Sequence, residues 1–335
     1  AGSRCMPKVM ITPHVFYRTP GPYVRMLEDA GFEVCYPSHP NLATEAEMLS
    51  ELPGMSAVIA GGGEPFTPKV LAGLPEMRVV ARAGVGYDKV DVPACTERNI
   101  AVTITPTANH ECVAEHTLAL LLSLTRVIVP HHHDVLAGDW TRKLMVPLRG
   151  RTLGLIGLGR IGRSVAVRAH AFRMKIVACE KFPDRDFVER YAIELVDLPT
   201  LLSRSDYVSL HVPLGTETRG VMNRDAFRQM KPGSMLVNTA RGGLVVEADL
   251  LEALKSGHLG GAGLDVFEQE PTPIENPLLK LPNVVTSPHV GGGDTQSNED
   301  MAVESAQNII TLARGGWPKG AVVNDSLEGK FKWKS

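Results

Sequence analysis

The feature that most constrains this chain is a glycine-rich run, Gly157-Leu-Gly-Arg-Ile-Gly162, near the middle of its 335 residues. The residues before it, 152–156, are mainly apolar and bounded by polar residues, which predicts a buried parallel strand. After it, residues 161–172 place apolar side chains at helical spacing, with arginines on the opposite side. Strand, glycine turn and helix in this order predict a βα unit of a parallel sheet.

This glycine run also predicts a site for a dinucleotide. Gly157 allows the tight turn, Gly159 lets the backbone approach the phosphates, and Gly162 lets the helix pack on the strand. The helix N-terminus then offers N–H groups to the anion. The next apolar strand pattern ends at Glu180, which is placed to accept the ribose hydroxyls of the adenosine half. A carboxylate there would repel a 2′-phosphate and favours NAD over NADP, although Lys181 partly offsets the repulsion.

The rest of the chain repeats the alternation of strand and helix patterns. One series precedes the glycine run, another begins with it, and the last helix pattern is expected to return to the first sheet. Such alternation predicts an α/β fold with parallel sheets. At this length we expect two domains, one discontinuous (residues 6–104 and 298–335) and one inserted into it (residues 105–297).

Two segments invite a more local prediction. The helix pattern at 109–129 is apolar on nearly all faces, which predicts burial between domains or subunits. Within it, His116 is interpreted as a packed or interdomain residue. Residues 325–335 are polar and are expected to form a loose tail.

Composition excludes several classes of function. The net charge is −2 and no basic stripe is present, so we expect no nucleic-acid partner. No apolar run is long enough to cross a bilayer, so we expect no membrane partner. The five cysteines are scattered without CxxC spacing, which is typical of reduced thiols in a cytoplasmic protein. The consecutive histidines 131–133 point in different directions, and we expect no metal site.

Three polar residues follow late strand patterns of the second series: Arg241, Glu270 and His289. Ligands of open parallel sheets bind at the carboxyl ends of the strands, where all three are placed. A guanidinium can bind a carboxylate with two hydrogen bonds, and an imidazole can exchange a proton near neutral pH. A carboxylate bonded to that imidazole fixes its tautomer and favours its charged form. Each residue alone is equally well explained by a helix cap or a surface ion pair, but the three together favour catalysis.

Six stretches carry a resemblance to a known family. These stretches are Arg82-Ala-Gly-Val-Gly-Tyr-Asp-Lys-Val-Asp91, 154–162, 210–214, 237–242, 264–271 and 287–291. Through them, and over nearly its whole length, the chain is similar to the D-isomer-specific 2-hydroxyacid dehydrogenases, and among them it looks most like phosphoglycerate dehydrogenases without their regulatory domain.

The resemblance implies a Rossmann-type NAD-binding domain inserted in a flavodoxin-like substrate domain. It implies that Arg241 binds the carboxylate and carbonyl of the substrate, that His289 is the acid/base and that Glu270 is the carboxylate partner of His289. Arg82 and the backbone of Gly84, Val85 and Gly86 would bind substrate, and Asp265 would hold the nicotinamide carboxamide. The other cofactor contacts it implies are Arg160, Ile161, His211, Val212, Pro213, Thr239, Ala240 and Gly291.

The implied activity is reversible hydride transfer between NAD and a small 2-oxo or 2-hydroxy acid bound between the two domains. A homodimer is also implied, with the 109–129 helix at or near its interface. Glu270 argues against formate dehydrogenase, which has glutamine there. The substrate is expected to be 3-phosphoglycerate-like, although the third strand pattern ends in Gly61-Gly-Gly63, which lacks a phosphate-binding arginine. The alternatives are a glyoxylate or hydroxypyruvate reductase and, in another class, a non-catalytic NAD-sensing corepressor-like scaffold.

Overall fold

The computed structural model describes residues 6–333 and divides the chain into two compact units. Unit 1 comprises the residues up to Asn109 and those from Asp294 onward, and unit 2 comprises His110–Gly293. Cys35, Cys95 and Cys179 form no disulfide bonds, whereas Cys5 and residues 334–335 lie outside the described part of the chain.

Two parallel sheets organise the described residues, which confirms the predicted α/β fold. Their strands are β1 (Lys8–Ile11), β2 (Glu33–Cys35), β3 (Ala57–Ala60), β4 (Val79–Arg82), β5 (Ala101–Thr103), β6 (Thr152–Ile156), β7 (Lys175–Cys179), β8 (Glu194–Leu195), β9 (Tyr207–Leu210), β10 (Met235–Asn238), β11 (Gly261–Leu264) and β12 (Val284–Thr286).

Helices connect these strands and cover the sheets. They are α1 (Pro22–Asp29), α2 (Glu45–Glu51), α3 (Pro68–Ala72), α4 (Val92–Glu97), α5 (His110–Thr125), α6 (Ile128–Leu136), α7 (Arg160–Ala171), α8 (Arg185–Arg190), α9 (Leu198–Arg204), α10 (Arg224–Gln229), α11 (Glu247–Lys255) and α12 (Thr295–Ala313).

Unit 1 is built on a five-stranded sheet with the order β2-β1-β3-β4-β5, which is the flavodoxin-like order. Alternate residues of its strands point to opposite faces, because side chains alternate along a strand. Val9, Ile59 and Ala81 pack on the face that carries α1 and α12, while Val58 and Val80 pack on the face of α2 to α4. Both faces of the sheet are therefore covered. The C-terminal helix, α12, packs on this first sheet, as predicted.

Unit 2 is built on a seven-stranded sheet with the order β12-β11-β10-β9-β6-β7-β8. Counted from β6, the order contains the 3-2-1-4-5-6 arrangement of a Rossmann fold. The chain reverses direction across the sheet between β6 and β9, and ligands of such folds bind outside the carboxyl ends of the strands there. Helices α5 and α7 cover one face, and α9 to α11 cover the other.

The predicted helix over 109–129 is wrong in its extent, because α5 ends at Thr125 and α6 begins at Ile128 with a bend of 57°. Val127 adopts a left-handed φ of 54° at this break. The apolar faces of α5 pack against α7 and the strands of unit 2. Among the described residues, no single helix has the length and hydropathy to span a membrane. The bent α5–α6 pair has that length and hydropathy only when its two helices are counted together.

The expected loose tail at 325–335 is also wrong over its described part. Leu327 is buried, and the Trp333 ring packs edge-on against Phe32 with their centroids 5.6 Å apart. Trp333 and the neighbouring Phe331 pack against the core of unit 1, so the polar residues around them do not leave the described part of the segment loose.

Candidate active site

The glycine turn after β6 brings three pieces of backbone into close contact. Gly157 has a φ of 97°, and a Cβ there would lie 2.5 Å from the His211 carbonyl oxygen. A Cβ on Gly162 would overlap the Gly157 carbonyl. At Gly159, by contrast, nothing lies within 4 Å of the Cβ position, and this residue forms the N-cap of α7 without a side-chain hydrogen bond. The first turn of α7 is thus open to an anion, as a dinucleotide pyrophosphate requires.

Glu180 is fixed beside this turn at the end of β7. One carboxylate oxygen accepts a hydrogen bond from the Leu158 N–H (2.7 Å) and the other accepts one from the Phe182 N–H (3.0 Å). Lys181 forms an ion pair with Glu217. The charge of Lys181 is therefore partly compensated by Glu217, which leaves Glu180 as the acidic group next to the glycine turn.

The β9 end supplies the other side of the turn. The His211 ring nitrogen Nε2 lies 2.9 Å from Ser209 Oγ, and burial lowers the pKa of His211, so its ring is neutral at pH 7. A neutral, partly buried ring followed by Val212 and Pro213 provides an apolar surface rather than a charged one.

Arg241 follows β10 in a turn that Asn238 organises. The Asn238 amide donates to the Arg241 carbonyl (2.9 Å) and its oxygen accepts from the Ala240 N–H (3.0 Å). Thr239 lies against α5, with its Oγ1 2.8 Å from Thr117 Oγ1. A Cβ on Gly242 would overlap the Phe267 carbonyl, so the turn after Arg241 packs directly on the segment that leads to Glu270.

His289 and Glu270 form a hydrogen-bonded pair. His289 Nδ1 lies 2.7 Å from Glu270 Oε2, while Glu270 Oε1 accepts from the Phe267 N–H at 3.0 Å. Burial alone would raise the pKa of Glu270, but the hydrogen bonds from His289 and Phe267 and the charge of Arg241 hold it below its ordinary value. Glu270 is therefore a carboxylate near neutral pH. Because it occupies Nδ1, the half-exposed His289 ring has Nε2 left for a substrate.

Asp265 fixes the loop that carries His289. Its buried carboxylate accepts hydrogen bonds from Ser287 Oγ (2.5 Å) and from the N–H groups of Val290 (3.0 Å) and Gly291 (2.8 Å). His116 Nε2 lies 2.7 Å from the same Ser287 hydroxyl. Burial opposes ionisation of Asp265, but these hydrogen bonds outweigh it and lower its pKa. The nicotinamide contact expected for Asp265 stays a prediction.

The predicted substrate-binding residues other than Arg241 lie in unit 1, at the carboxyl end of β4, whereas the predicted cofactor residues Arg160 and Ile161 open α7 in unit 2. Arg82 is only 4% exposed, and its guanidinium pairs with the buried Glu64. Gly84 has a φ of 136°, and its N–H donates to Thr105 Oγ1 at 2.8 Å. The structure thus collects Arg241, Glu270 and His289 in unit 2, and Arg82 with the 84–86 loop in unit 1. Substrate contact by these unit 1 residues stays a prediction.

The sequence of the chain matches known proteins. Residues 118–291 match the model of the NAD-binding domain of the D-isomer-specific 2-hydroxyacid dehydrogenases. A glyoxylate reductase of Korarchaeum cryptofilum is 42% identical over 265 residues, which cover 77% of this chain and 80% of that protein. The chain belongs to this family.

Other relatives carry different names. A D-3-phosphoglycerate dehydrogenase of Archaeoglobus fulgidus is 39% identical over 84% of this chain, which spans only about half (54%) of that protein. A glyoxylate reductase of Thermococcus litoralis is 36% identical, with 96% of this chain and 98% of that protein covered. Relatives within this one family are therefore named as enzymes for two different substrates.

Solved structures of the family have the same architecture. A crystal structure of a Thermus thermophilus protein matches with a TM-score of 0.85 and 38% identity, covering 94% of this chain and 99% of that one. The apo D-lactate dehydrogenase of Escherichia coli matches with a TM-score of 0.79 and 28% identity, covering 94% and 99%.

The sequence does not predict the roles of several residues that support the site. Asn238, His116 and Ser287 brace the turns that carry the predicted site residues, and Glu64 pairs with Arg82. For Asn238 the sequence does offer a signal, since it is a polar residue at the end of an apolar strand pattern. For His116 and Glu64 no local pattern identifies the partner, because the contact joins residues distant in the sequence. Within residues 6–333, no group of three His, Cys, Asp or Glu side chains is placed to hold a metal.

Proposed function

We propose that this chain is an NAD-dependent D-2-hydroxyacid dehydrogenase that interconverts 2-oxo and 2-hydroxy acids. The observation that supports the proposal most strongly is the 2.7 Å hydrogen bond between His289 and Glu270. The charge of Arg241 acts on the same Glu270 carboxylate, and all three residues follow strands of the Rossmann sheet. We assign cofactor binding to residues 105–297, and substrate binding to residues 6–104 and 298–335.

The residues of unit 2 fit NAD. The open N-terminus of α7 suits the pyrophosphate, and Glu180 is held where ribose hydroxyls would donate to it. The cofactor supplies or accepts the hydride when it is bound. The residues of the chain bind and orient the substrate and move the proton.

His289 moves the proton. In the reducing direction its Nε2 donates a proton to the carbonyl oxygen of the substrate, and in the oxidising direction it takes the hydroxyl proton back. Glu270, ionised at neutral pH, orients the ring through Nδ1 and stabilises its positive charge. Arg241 binds the substrate carboxylate and stabilises the negative charge that develops on the carbonyl oxygen. We also assign to the substrate carboxylate the backbone N–H groups of the loop from Val85 onward, since the Gly84 N–H already donates to Thr105 Oγ1.

For the substrate we favour a small unphosphorylated 2-oxo acid, glyoxylate or hydroxypyruvate, over the 3-phosphoglycerate-like substrate that the sequence favoured. A 3-phosphate needs an available cation, but β3 is followed by three glycines and the nearby Arg82 is buried against Glu64. Phosphohydroxypyruvate, the 2-oxo form of the phosphorylated substrate, remains the second candidate because of the relatives named phosphoglycerate dehydrogenase.

One panel of substrates tests both statements. NADH oxidation is followed at 340 nm with glyoxylate, hydroxypyruvate, phosphohydroxypyruvate and pyruvate. We expect turnover with the first two and a higher kcat/KM for hydroxypyruvate than for its phosphorylated form. A preference for the phosphorylated acid contradicts the substrate assignment, and tight NADH binding without any turnover contradicts the enzyme assignment.

We also propose a homodimer. The surface available for it is formed by α6 and the segment after it, where Ile128 and Leu136 are 54% and 72% exposed and Trp140 and Leu144 are 80% and 94% exposed. Large apolar side chains clustered on a surface mark interaction sites. The predicted interface therefore moves from the buried α5 to this neighbouring segment.

A further inference from the structure

Unit 1 holds a buried ion pair to which the reaction above gives no role. Arg82 Nη1 lies 3.6 Å from Glu64 Oε2, and these side chains are 4% and 1% exposed. Burial removes both charges from water, and a packed apolar pair is often as stable or more stable. Stability is therefore a weak reason for this pair, and its contacts point to a different one.

Glu64 is tied to three neighbouring strands of the sheet. Its Oε1 accepts hydrogen bonds from Thr12 Oγ1 (2.5 Å) and from the Gly61 N–H (3.0 Å). Thr12 follows β1, Gly61 follows β3 and Arg82 ends β4, and these strands are adjacent. The carboxylate is thus held by the frame of the sheet, and it holds the guanidinium of Arg82 in one place.

Arg82 in turn holds the loop after β4. Its Nε–H donates to the Gly86 carbonyl at 3.2 Å. At the other end of the loop, Thr105 binds Gly84 twice: the Gly84 N–H donates to Thr105 Oγ1 (2.8 Å), and the Thr105 N–H donates to the Gly84 carbonyl (3.0 Å). Residues 84–86 are therefore anchored at both ends.

These anchors determine where the N–H groups of the loop point. The C=O and N–H of a trans peptide point in opposite directions. Holding the carbonyls of Gly84 and Gly86 toward the sheet therefore directs the next N–H groups, those of Val85 and Tyr87, to the opposite side. N–H groups presented together by a short loop bind anions.

We propose that Glu64 and Arg82 are positioning residues for the carboxylate site of the substrate. Glu64 fixes Arg82, Arg82 fixes the Gly86 carbonyl, and the loop then presents its N–H groups to the carboxylate. The inference rests on the proposed function, which assigns the 84–86 loop to that carboxylate. It replaces direct substrate contact by Arg82 with action through the loop.

The first test is Arg82→Lys. Lysine keeps a positive charge beside Glu64 but has no Nε–H donor for the Gly86 carbonyl. We expect KM for the 2-oxo acid to rise about tenfold, the equivalent of one well-placed hydrogen bond. We expect kcat, the NADH Kd and Tm to stay close to those of the wild type.

The matched control is Arg78→Lys. Arg78 precedes β4 at its amino end, and its Nη1 donates to the backbone carbonyls of Pro75 (2.8 Å) and Met77 (2.7 Å). The substitution is the same and again removes a guanidinium from backbone carbonyls, but at the opposite end of the strand. We expect KM to stay unchanged in this variant.

A double variant, Glu64→Gln with Arg82→Met, separates positioning from stability. Removing both charges avoids an unpaired buried ion, so the protein should fold with a Tm near that of the wild type. Positioning predicts that KM stays raised in the double variant. A wild-type KM in Arg82→Lys, or in the double variant, overturns the proposal.

Failure of the proposed function gives a different result. If the wild type reduces no 2-oxo acid, the enzyme assignment fails while the loop remains testable with oxalate as an unreactive carboxylate. Calorimetry of oxalate binding to the NAD-loaded protein then decides: weaker binding by Arg82→Lys than by the wild type and Arg78→Lys supports positioning, and equal binding overturns it.

Discussion

Replacing Glu270 by glutamine tests the role of the histidine–carboxylate pair. The glutamine amide can still accept a hydrogen bond from His289 Nδ1, but it no longer stabilises a positive charge on the ring. In the reducing direction His289 must donate a proton, and the Glu270 carboxylate stabilises the charged ring that donates it. Without the carboxylate this stabilisation is lost, so we expect kcat/KM to fall at neutral pH.

The geometry sets the size of this effect. The atoms Nδ1 and Oε2 are 2.7 Å apart, and the two side chains are 47% and 35% exposed. A hydrogen bond to a charged group is worth about 1.5–3 kcal/mol, and partial exposure to solvent puts this pair near the lower value. Since about 1.4 kcal/mol corresponds to a tenfold change in rate, we expect kcat/KM to fall about tenfold.

The assay is kcat/KM for the 2-oxo acid at pH 7 with saturating NADH. The control is Glu268→Gln, which removes the same charge two residues away from Glu270. The Glu268 carboxylate accepts a hydrogen bond from the Glu247 N–H through Oε1 and is not bonded to His289. An unchanged kcat/KM in Glu270→Gln refutes the reasoning. An equal loss of kcat/KM in both variants would assign the effect to overall charge rather than to the pair.

Three further predictions concern the cofactor site and the assembly. Glu180→Ala removes the carboxylate that would repel a 2′-phosphate, and we expect kcat/KM with NADPH relative to NADH to rise about tenfold; an unchanged ratio contradicts this role. Gly162→Ala places a methyl group on the Gly157 carbonyl, and we expect fluorescence titration to show NADH affinity lowered by at least about tenfold. Wild-type affinity would mean that the turn tolerates a side chain. Sedimentation of the wild type should give twice the 36.2 kDa chain mass, and Leu144→Asp should give the monomer. A monomeric wild type contradicts the homodimer.

The order of secondary structure and the cofactor half of the site could be predicted because their determinants are local. The glycine spacing and Glu180 lie within one βαβ unit, and the structure joins Glu180 to Leu158 of the same unit. Arg241, Glu270 and His289 each follow a strand, and parallel strands bring their carboxyl ends to one edge of a sheet. The family resemblance supplied their roles.

The remainder depends on contacts between residues distant in the sequence. Apolar periodicity continues through 109–129, but it does not reveal the left-handed Val127 at which α5 gives way to α6. The polar composition of 325–335 does not reveal that Leu327 is buried or that Trp333 packs against Phe32, which is distant in the sequence. In the sequence Glu64 is only a loop residue, because its contacts depend on β1, β3 and β4 lying side by side in the sheet.

The central claim is that His289 transfers the proton in an NADH-dependent reduction of a 2-oxo acid. The most direct measurement compares kcat for wild type and His289→Gln with the best substrate of the panel, with the NADH Kd measured by fluorescence for both. The account predicts that kcat falls by about 10²–10⁴-fold while the NADH Kd is unchanged. A His289→Gln enzyme that turns over at near the wild-type rate would contradict it.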